Sequence, residues 1–245
     1  MNDEDRVPVV CVDRSAVAAF SLFNPNDWTG QSRGVVQSCA TELSVLRYSV
    51  VRIERLCADA KDACRHHFET LNGQWQISPW DLGRSIYFGQ VPELHVLIES
   101  FFAGLKSLLD LDSQLLTTER VVGVALDGFH RTKDVYGGTV INALDNNVRN
   151  GKEAIAATVK ALIMKHKAAW IDAAIASRDM LVHPVRGAQQ LMFEIRVENS
   201  GESLDYLGAV PPHVDEVPIG SYTSARVEDV YQFSAELLNA LREAA

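Results

Sequence analysis

The chain has 245 residues, of which 47% are hydrophobic and 22% are charged, and its formal net charge is -9. This composition is typical of a globular protein that buries a sizeable core. The acidic balance excludes a broad basic surface for nucleic acid, because such a surface neutralises many phosphates with Lys and Arg. Any contact with nucleic acid therefore has to be local.

The N-terminal segment MNDEDRVPVV is acidic and lacks the apolar stretch of a signal peptide. Nowhere do about 18 uncharged apolar residues run together, as a membrane-spanning helix requires. We therefore expect a soluble, cytoplasmic protein without a membrane partner. Residues 1–31 combine the strand-like VPVVCV with the turn-forming NPNDWTG, which predicts an irregular N-terminal arm.

A long helix is predicted after this arm, because apolar or small residues recur at alternating steps of four and three. The positions of this seam are Cys39, Leu43, Leu46, Val50, Ile53, Cys57, Ala60, Cys64, His67 and Leu71. Cys57, Cys64 and His67 share the face, but ligands seven residues apart on a straight helix are too distant for one tetrahedral ion. We interpret them as core residues and expect no metal or other cofactor.

Pro92 begins a second predicted helix, since proline is favoured at the first helical position. Its apolar residues form a wide face suited to burial among several helices, and they are Leu94, Leu97, Ile98, Phe101, Phe102, Leu105, Leu108, Leu109, Leu115 and Leu116. Glu99 and Asp110 stand eleven residues apart on this helix, at nearly the same azimuth. They are either part of a solvated stripe or partners of a buried cation. Asp110, within LLDLD, is the stronger candidate.

Glycines between residues 117 and 151 predict a loop followed by a short helix over TVINALDNNV. Gly137 and Gly138 precede this helix and could present N–H groups to an anion. A third long helix follows, and Pro184 ends it because helical geometry is disfavoured before proline. Its predicted seam is Ile155, Val159, Leu162, His166, Ala169, Ala173, Ala176, Met180 and His183.

The pattern changes after this helix, where MFEIRV and LDYLGAV flank NSGES and predict a β-hairpin within residues 188–223. Ser224 is predicted to cap a last helix over residues 224–245. The whole chain, residues 1–245, is therefore predicted to be one domain. Its fold class is an all-α, up-and-down helical bundle with a helical core over residues 32–184 and a small C-terminal β-hairpin excursion.

The segment SRDMLVHP, residues 177–184, carries the strongest candidate chemistry. Residues five apart on an ideal helix point about 140° away from each other, so Arg178 and His183 converge only if His183 leaves the helix. Pro184 favours that departure. An arginine beside such an imidazole suits phosphodiester chemistry, because one group stabilises negative charge and the other moves a proton. The alternative is that His183 caps the helix end and that Arg178 is a surface arginine or an ion-pair partner of Asp172, Asp179 or Asp110.

The leucine-rich ESFFAGLKSLLDL followed by a helix that closes with RDMLVHP resembles the HEPN superfamily. The motif of that family is an arginine, a polar residue, three or more further residues and a histidine, and Arg178, Asp179 and His183 match it in order. In layout the resemblance covers roughly residues 33–184. One variant of the family has tyrosine two places after the histidine, where this chain has Val185.

The resemblance implies an all-α bundle that dimerises and cleaves RNA without a metal, through attack of the ribose 2'-OH on the adjacent phosphate. Arg178 would hold the scissile phosphate, His183 would act as general acid or base, and Asp179 would orient one of them. Asp110 would fix Arg178 from the neighbouring helix, and Glu99 is a further supporting residue. A homodimer would concentrate two motifs in one groove of an acidic protein.

Two function classes follow from these observations. The first is a HEPN-like endoribonuclease in stress response or defence, with RNA as substrate and a neutralising protein as a further partner. The second is a non-catalytic dimerisation or binding scaffold of the same fold. A bundle that binds a small molecule is a third class, which would need a cavity that a sequence does not reveal.

Overall fold

The structure is a computed structural model that describes residues 24, 27, 28, 30–71, 86–88, 92–182, 191, 193–199 and 204–242. Within these ranges the protein is mainly helical, with one short strand at residues 86–88 and four more strands between residues 193 and 218. Most of the predicted arm over residues 1–31 lies outside the described residues. So do His183 and Pro184, on which part of the motif interpretation depends.

The described helices have the following bounds: α1 (Gly30–Leu71), α2 (Pro92–Thr118), α3 (Gly138–Asn146), α4 (Glu153–His166), α5 (Asp172–Val182) and α6 (Ile219–Arg242). A π-helical turn at Lys167–Ile171 joins α4 to α5. These elements confirm the predicted helices and their order. None of the helices described is both long and apolar enough to cross a lipid bilayer.

The strands form two small antiparallel groups. β1 (Ile86–Phe88), β2 (Phe193–Asn199) and β3 (Leu204–Val210) make a sheet in the order β1-β2-β3. The pairing of β2 with β3 confirms the predicted hairpin, whereas β1 was not predicted because three residues are too few to show alternation. β4 (His213–Val214) and β5 (Val217–Pro218) form a separate two-residue pair.

The chain divides into two compact units. Unit 1 is drawn from Met1–Val45, Lys106–Met164 and Val230–Ala245, and unit 2 is drawn from Leu46–Leu105 and Lys165–Asp229. Each unit has buried aromatic side chains of its own. They are Phe129 and Phe233 in unit 1 and Phe101, Phe102 and Phe193 in unit 2.

The packed faces of α1 and α2 agree with the periodicity of the sequence. Seven of the ten predicted seam residues of α1 are buried, namely Cys39, Leu43, Leu46, Val50, Ile53, Cys57 and Cys64. On α2 nine of the ten predicted residues are buried, and Leu97 is half-buried. The burial of Cys57 and Cys64 confirms that they serve as small apolar core residues.

The packed face of the helix through α4 and α5 differs from the prediction. The predicted seam residues that are exposed are Ala169, Ala173, Ala176 and Met180. The residues that are buried instead are Ala156, Ile163, Trp170, Ile171, Ala174 and Ile175. The physical reason is that burial of large aromatic and branched side chains is more favourable than burial of alanine. The π-helical turn also widens the helix, so that both Trp170 and Ile171 are buried.

The last helix begins at Ile219, before the predicted cap at Ser224, which is therefore inside α6. The N–H of Ile219 donates to the carbonyl of Pro212 at 2.9 Å, and this bond joins the first turn of α6 to the strand segment before it. The predicted last helix itself is confirmed. Its apolar residues are buried at Val227, Val230, Leu237, Leu238 and Leu241 and half-buried at Tyr231.

The loop before α3 uses glycine for close packing and not for anion binding. Gly137 has a φ of 68°, and a Cβ there would lie 2.2 Å from Cζ of Phe129. The N–H of Gly138 donates to the carbonyl of Val135, and the N–H of Thr139 donates to that of His130. Both donors at the start of α3 are therefore already used within the protein.

We expect Gly137→Ala to lower the free energy of unfolding by about 2 kcal/mol or more, because it adds backbone strain and an overpacked contact. Gly151→Ala is the matched control, since Gly151 has a φ of 81° but open space around its Cα. It should cost only the strain, about 1 kcal/mol. Urea unfolding midpoints measure both variants, and equal losses would contradict the packing role of Gly137.

Candidate functional site

The described part of the motif lies in the last turns of α5, within unit 2. Arg178 Nη1 is 3.3 Å from Asp179 Oδ1, and the two side chains are 31% and 23% exposed. Helix α5 is described as far as Val182. The structure thus places Arg178 and Asp179 in contact, and the predicted convergence with His183 lies outside the described residues.

The guanidinium of Arg178 keeps donors beyond its contact with Asp179. A guanidinium carries five N–H donors in a planar fork, and the polar contact described for Arg178 involves one nitrogen. The side chain is partly exposed, so a ligand can reach it. A planar fork with remaining donors is the kind of group that recognises phosphate in a bidentate way.

Ser177, the residue before Arg178, is tied to a distant turn. Its side chain is 1% exposed. Its hydroxyl oxygen lies 2.7 Å from Asp215 Oδ2 and 3.0 Å from the carbonyl oxygen of Ala173, so its single proton can be donated to either acceptor. Asp215 lies between β4 and β5, and the bond therefore joins α5 to that hairpin.

Tyr222 and Arg226 on α6 extend this group. The Tyr222 hydroxyl is buried near Ser177 and makes no well-formed hydrogen bond with a described group. Burial raises its pKa, and the Ser177 hydroxyl and the Arg226 guanidinium act in the opposite direction. Arg226 stacks on the Tyr222 ring at 5.4 Å and pairs with Asp229 at 3.0 Å. We call these residues, Ser177, Asp215, Tyr222, Arg226 and Asp229, the Ser177 cluster.

The π-helical turn before α5 buries further polar groups. The indole N–H of Trp170 donates to Nδ1 of His166 at 3.0 Å, which fixes that ring nitrogen as an acceptor. Lys167 is buried, and its ammonium pairs with Asp172 at 2.5 Å. Asp172, one of the candidate partners of Arg178, is thus engaged by Lys167.

Asp110 and Glu99, the predicted supporting residues, lie on α2. The carboxylate of Asp110 accepts a hydrogen bond from the Phe129 N–H at 2.6 Å and another from the Lys106 ammonium. These contacts belong to unit 1, whereas Arg178 belongs to unit 2. Asp110 therefore has a described role in holding the loop at residue 129. Glu99 is exposed, and its supporting role stays a prediction.

The deeply buried carboxylate of α2 is Asp112, which the sequence analysis did not select. It is 1% exposed, accepts a hydrogen bond from the Ser234 hydroxyl at 2.6 Å, and lies 3.9 Å from the Cys39 sulfur. Burial raises the pKa of Asp112 to about 7, although the bonds from Ser234 and Cys39 lower it. Burial and the neighbouring carboxylate also raise the pKa of Cys39.

The residues that the sequence analysis missed differ in the signal that they carry. Asp112 was detectable, because steps of three and four from Leu105 and Leu108 lead to position 112 on the apolar face. Ser177 opens the quoted segment, but nothing nearby indicates its partner. No sequence motif marks Asp215. Among the described residues, no group of three or more His, Cys, Asp or Glu side chains is placed to hold a metal ion.

The raised pKa of Asp112 predicts that the stability of the protein depends on pH. Because its pKa is raised from 3.8 to about 7 on folding, the folded protein binds more protons than the unfolded chain between these values. The free energy of unfolding should therefore fall as the pH rises through this range. At about 1.4 kcal/mol per pKa unit, the fall is on the order of 4 kcal/mol.

Asp112→Asn keeps an acceptor for Ser234 but does not ionise, so we expect it to remove this fall and to exceed the wild type in stability above neutral pH. Urea unfolding at acidic and alkaline pH measures the difference. Asp134→Asn is the control, because Asp134 is 96% exposed and its loss should leave the pH profile unchanged. A wild-type stability that does not fall with rising pH would refute the prediction.

No protein-family model, curated protein or solved structure matches this chain. The functional argument therefore depends on the residues themselves. Two features carry it, the Arg178–Asp179 pair on α5 and the Ser177 cluster that begins at the adjacent residue.

Proposed function

We propose that the protein is a HEPN-like, metal-independent endoribonuclease that acts in stress response or defence. The observation that supports this most directly is the half-buried Arg178, which is paired with Asp179 through one nitrogen and keeps other donors toward solvent. An arginine held in this way can stabilise the charge that develops on a phosphate.

In the proposed reaction the ribose 2'-OH attacks the adjacent phosphorus, the bond to the 5'-oxygen breaks, and a cyclic phosphate remains. One proton leaves the 2'-OH and another reaches the departing oxygen. His183 is proposed to transfer one of these protons as general acid or base. Asp179 is proposed to keep the guanidinium of Arg178 in the orientation that meets the phosphate.

The proposal includes a homodimer and a neutralising protein partner. The net charge of -9 opposes binding of RNA over a wide surface. Two copies of the motif in one groove would supply two arginines at the same place. Sedimentation equilibrium of the purified protein tests the dimer, and a monomer at all concentrations would contradict this part of the proposal.

The activity is tested by incubating the purified protein with mixed RNA in EDTA. We expect the wild type to cleave and to leave cyclic phosphate ends. Arg178→Ala and His183→Ala should each lower the rate about 100-fold or more, because each removes a transition-state interaction. Arg178→Lys should recover only part of the rate, since lysine keeps the charge but not the planar fork.

Arg242→Ala is the matched control. Arg242 is also 31% exposed and also pairs with an aspartate, Asp27 at 2.9 Å, but it belongs to unit 1. Its loss should leave the rate unchanged. Equal cleavage by all variants would show that a contaminant or another site is responsible, and no cleavage by the wild type would favour the non-catalytic scaffold.

A further inference from the structure

The turn between β4 and β5 has an unusual backbone for its sequence. The two residues that connect these strands are Asp215 and Glu216, with φ values of 49° and 66°. Two-residue hairpin turns with positive φ at both positions strongly prefer Asn-Gly or Asp-Gly. An L-residue in this conformation is strained, and glycine would remove the strain.

The strained turn brings the carboxylate of Asp215 against α5. Asp215 Oδ2 lies 2.7 Å from the Ser177 hydroxyl, across 38 positions of sequence. A hydroxyl bonded to a carboxylate is among the stronger hydrogen bonds of proteins. Ser177 is buried, whereas Asp215 is exposed, so the donor side of this bond lies inside the fold and the acceptor side faces solvent. The strained turn and α5 are therefore joined at one atom pair.

The position of Ser177 determines where its neighbours point. Consecutive helical residues differ by about 100° in azimuth, so fixing one side chain fixes the directions of the next two. Those two are Arg178 and Asp179. Tyr222 lies beside Ser177, and Arg226 stacks on the Tyr222 ring. Strained backbone conformations persist only where surrounding contacts hold them, and they are concentrated at functional sites.

We propose that Asp215 is a positioning residue, which holds Ser177 and thereby sets the direction in which Arg178 and Asp179 leave α5. The effect of Asp215 on catalysis rests on the proposed ribonuclease function, whereas its hydrogen bond to Ser177 does not. Asp215 lies in this strained turn, and from that position its carboxylate reaches Ser177 while the two short strands remain paired.

Three variants separate the hydrogen bond between Asp215 and Ser177 from the strain of the turn. Asp215→Gly removes both, whereas Asp215→Asn keeps an acceptor for Ser177 in a residue that tolerates positive φ. Glu216→Gly relieves strain and leaves the hydrogen bond in place. Glu216→Gly is thus the matched control. Circular dichroism confirms that each variant is folded.

The first readout is hydrogen exchange of the backbone amides of α5, which does not depend on any activity. Asp215→Gly should speed exchange in the last turns of α5, whereas Asp215→Asn and Glu216→Gly should match the wild type. Glu216→Gly should also have a higher urea midpoint than the wild type. Unchanged exchange in Asp215→Gly would overturn the proposal.

The second readout is cleavage of an oligoribonucleotide that the wild type cuts. Asp215→Gly should lower kcat about 10- to 100-fold with little change in KM, because a misplaced group loses transition-state contact. Asp215→Asn and Glu216→Gly should stay near the wild-type rate. Ser177→Ala should resemble Asp215→Gly, and combining the two should add no further loss, since both break one bond.

Each result has one meaning. Equal losses in Asp215→Gly and Glu216→Gly would assign the effect to the turn backbone and overturn the positioning role. A full further loss in the double variant would overturn it as well. A wild type that cleaves no RNA defeats the proposed function, and the hydrogen-exchange result then still decides whether Asp215 holds α5.

Discussion

A carboxylate, hydroxyl or ring nitrogen removed from water destabilises a fold by several kcal/mol unless a hydrogen-bond partner replaces the solvent. The helices of this protein carry such groups on their packed faces, and several of them are met by a group from another turn or element. Asp112 is met by Ser234, Ser177 by Asp215, and His166 by Trp170. These hydrogen bonds select which helix faces pack together. Apolar contact alone permits more than one packing register, whereas a hydrogen-bonded pair permits one.

The sequence predicted the helices well where the packed residues are large and regularly spaced. The leucines and phenylalanines of α2 allow only one face of that helix to be buried. On α1 the cysteines continue the apolar face of their own helix. The prediction was wrong beyond His166, where alanines fit the four-three rhythm but Trp170 and Ile171 have more apolar surface to bury. A periodic pattern counts positions and ignores area, whereas the hydrophobic effect scales with area. The π-helical turn at this point is also invisible to a pattern that assumes regular geometry.

The candidate site was predictable only in part, for a related reason. Arg178 and Asp179 are neighbours in sequence, and their contact follows from local geometry. Asp215 meets Ser177 only because a strained turn and a helix end come together in the fold, and no local signal reports such a contact. Asp112 was missed for a different reason. Asp110 and Asp112 both lie among leucines, but the apolar step pattern passes through position 112, and the carboxylate at that position is the buried one.

Helix azimuth connects these observations to function. An arginine and a histidine five residues apart carry little information, because a regular helix directs them to different sides. The residue before Arg178 is buried, and its hydroxyl has two acceptors, the carboxylate of Asp215 and the carbonyl of Ala173. A turn of Asn-Gly would be less strained but would place no carboxylate at that position. The bond between Asp215 and Ser177 therefore connects the strained turn to the helix that carries Arg178.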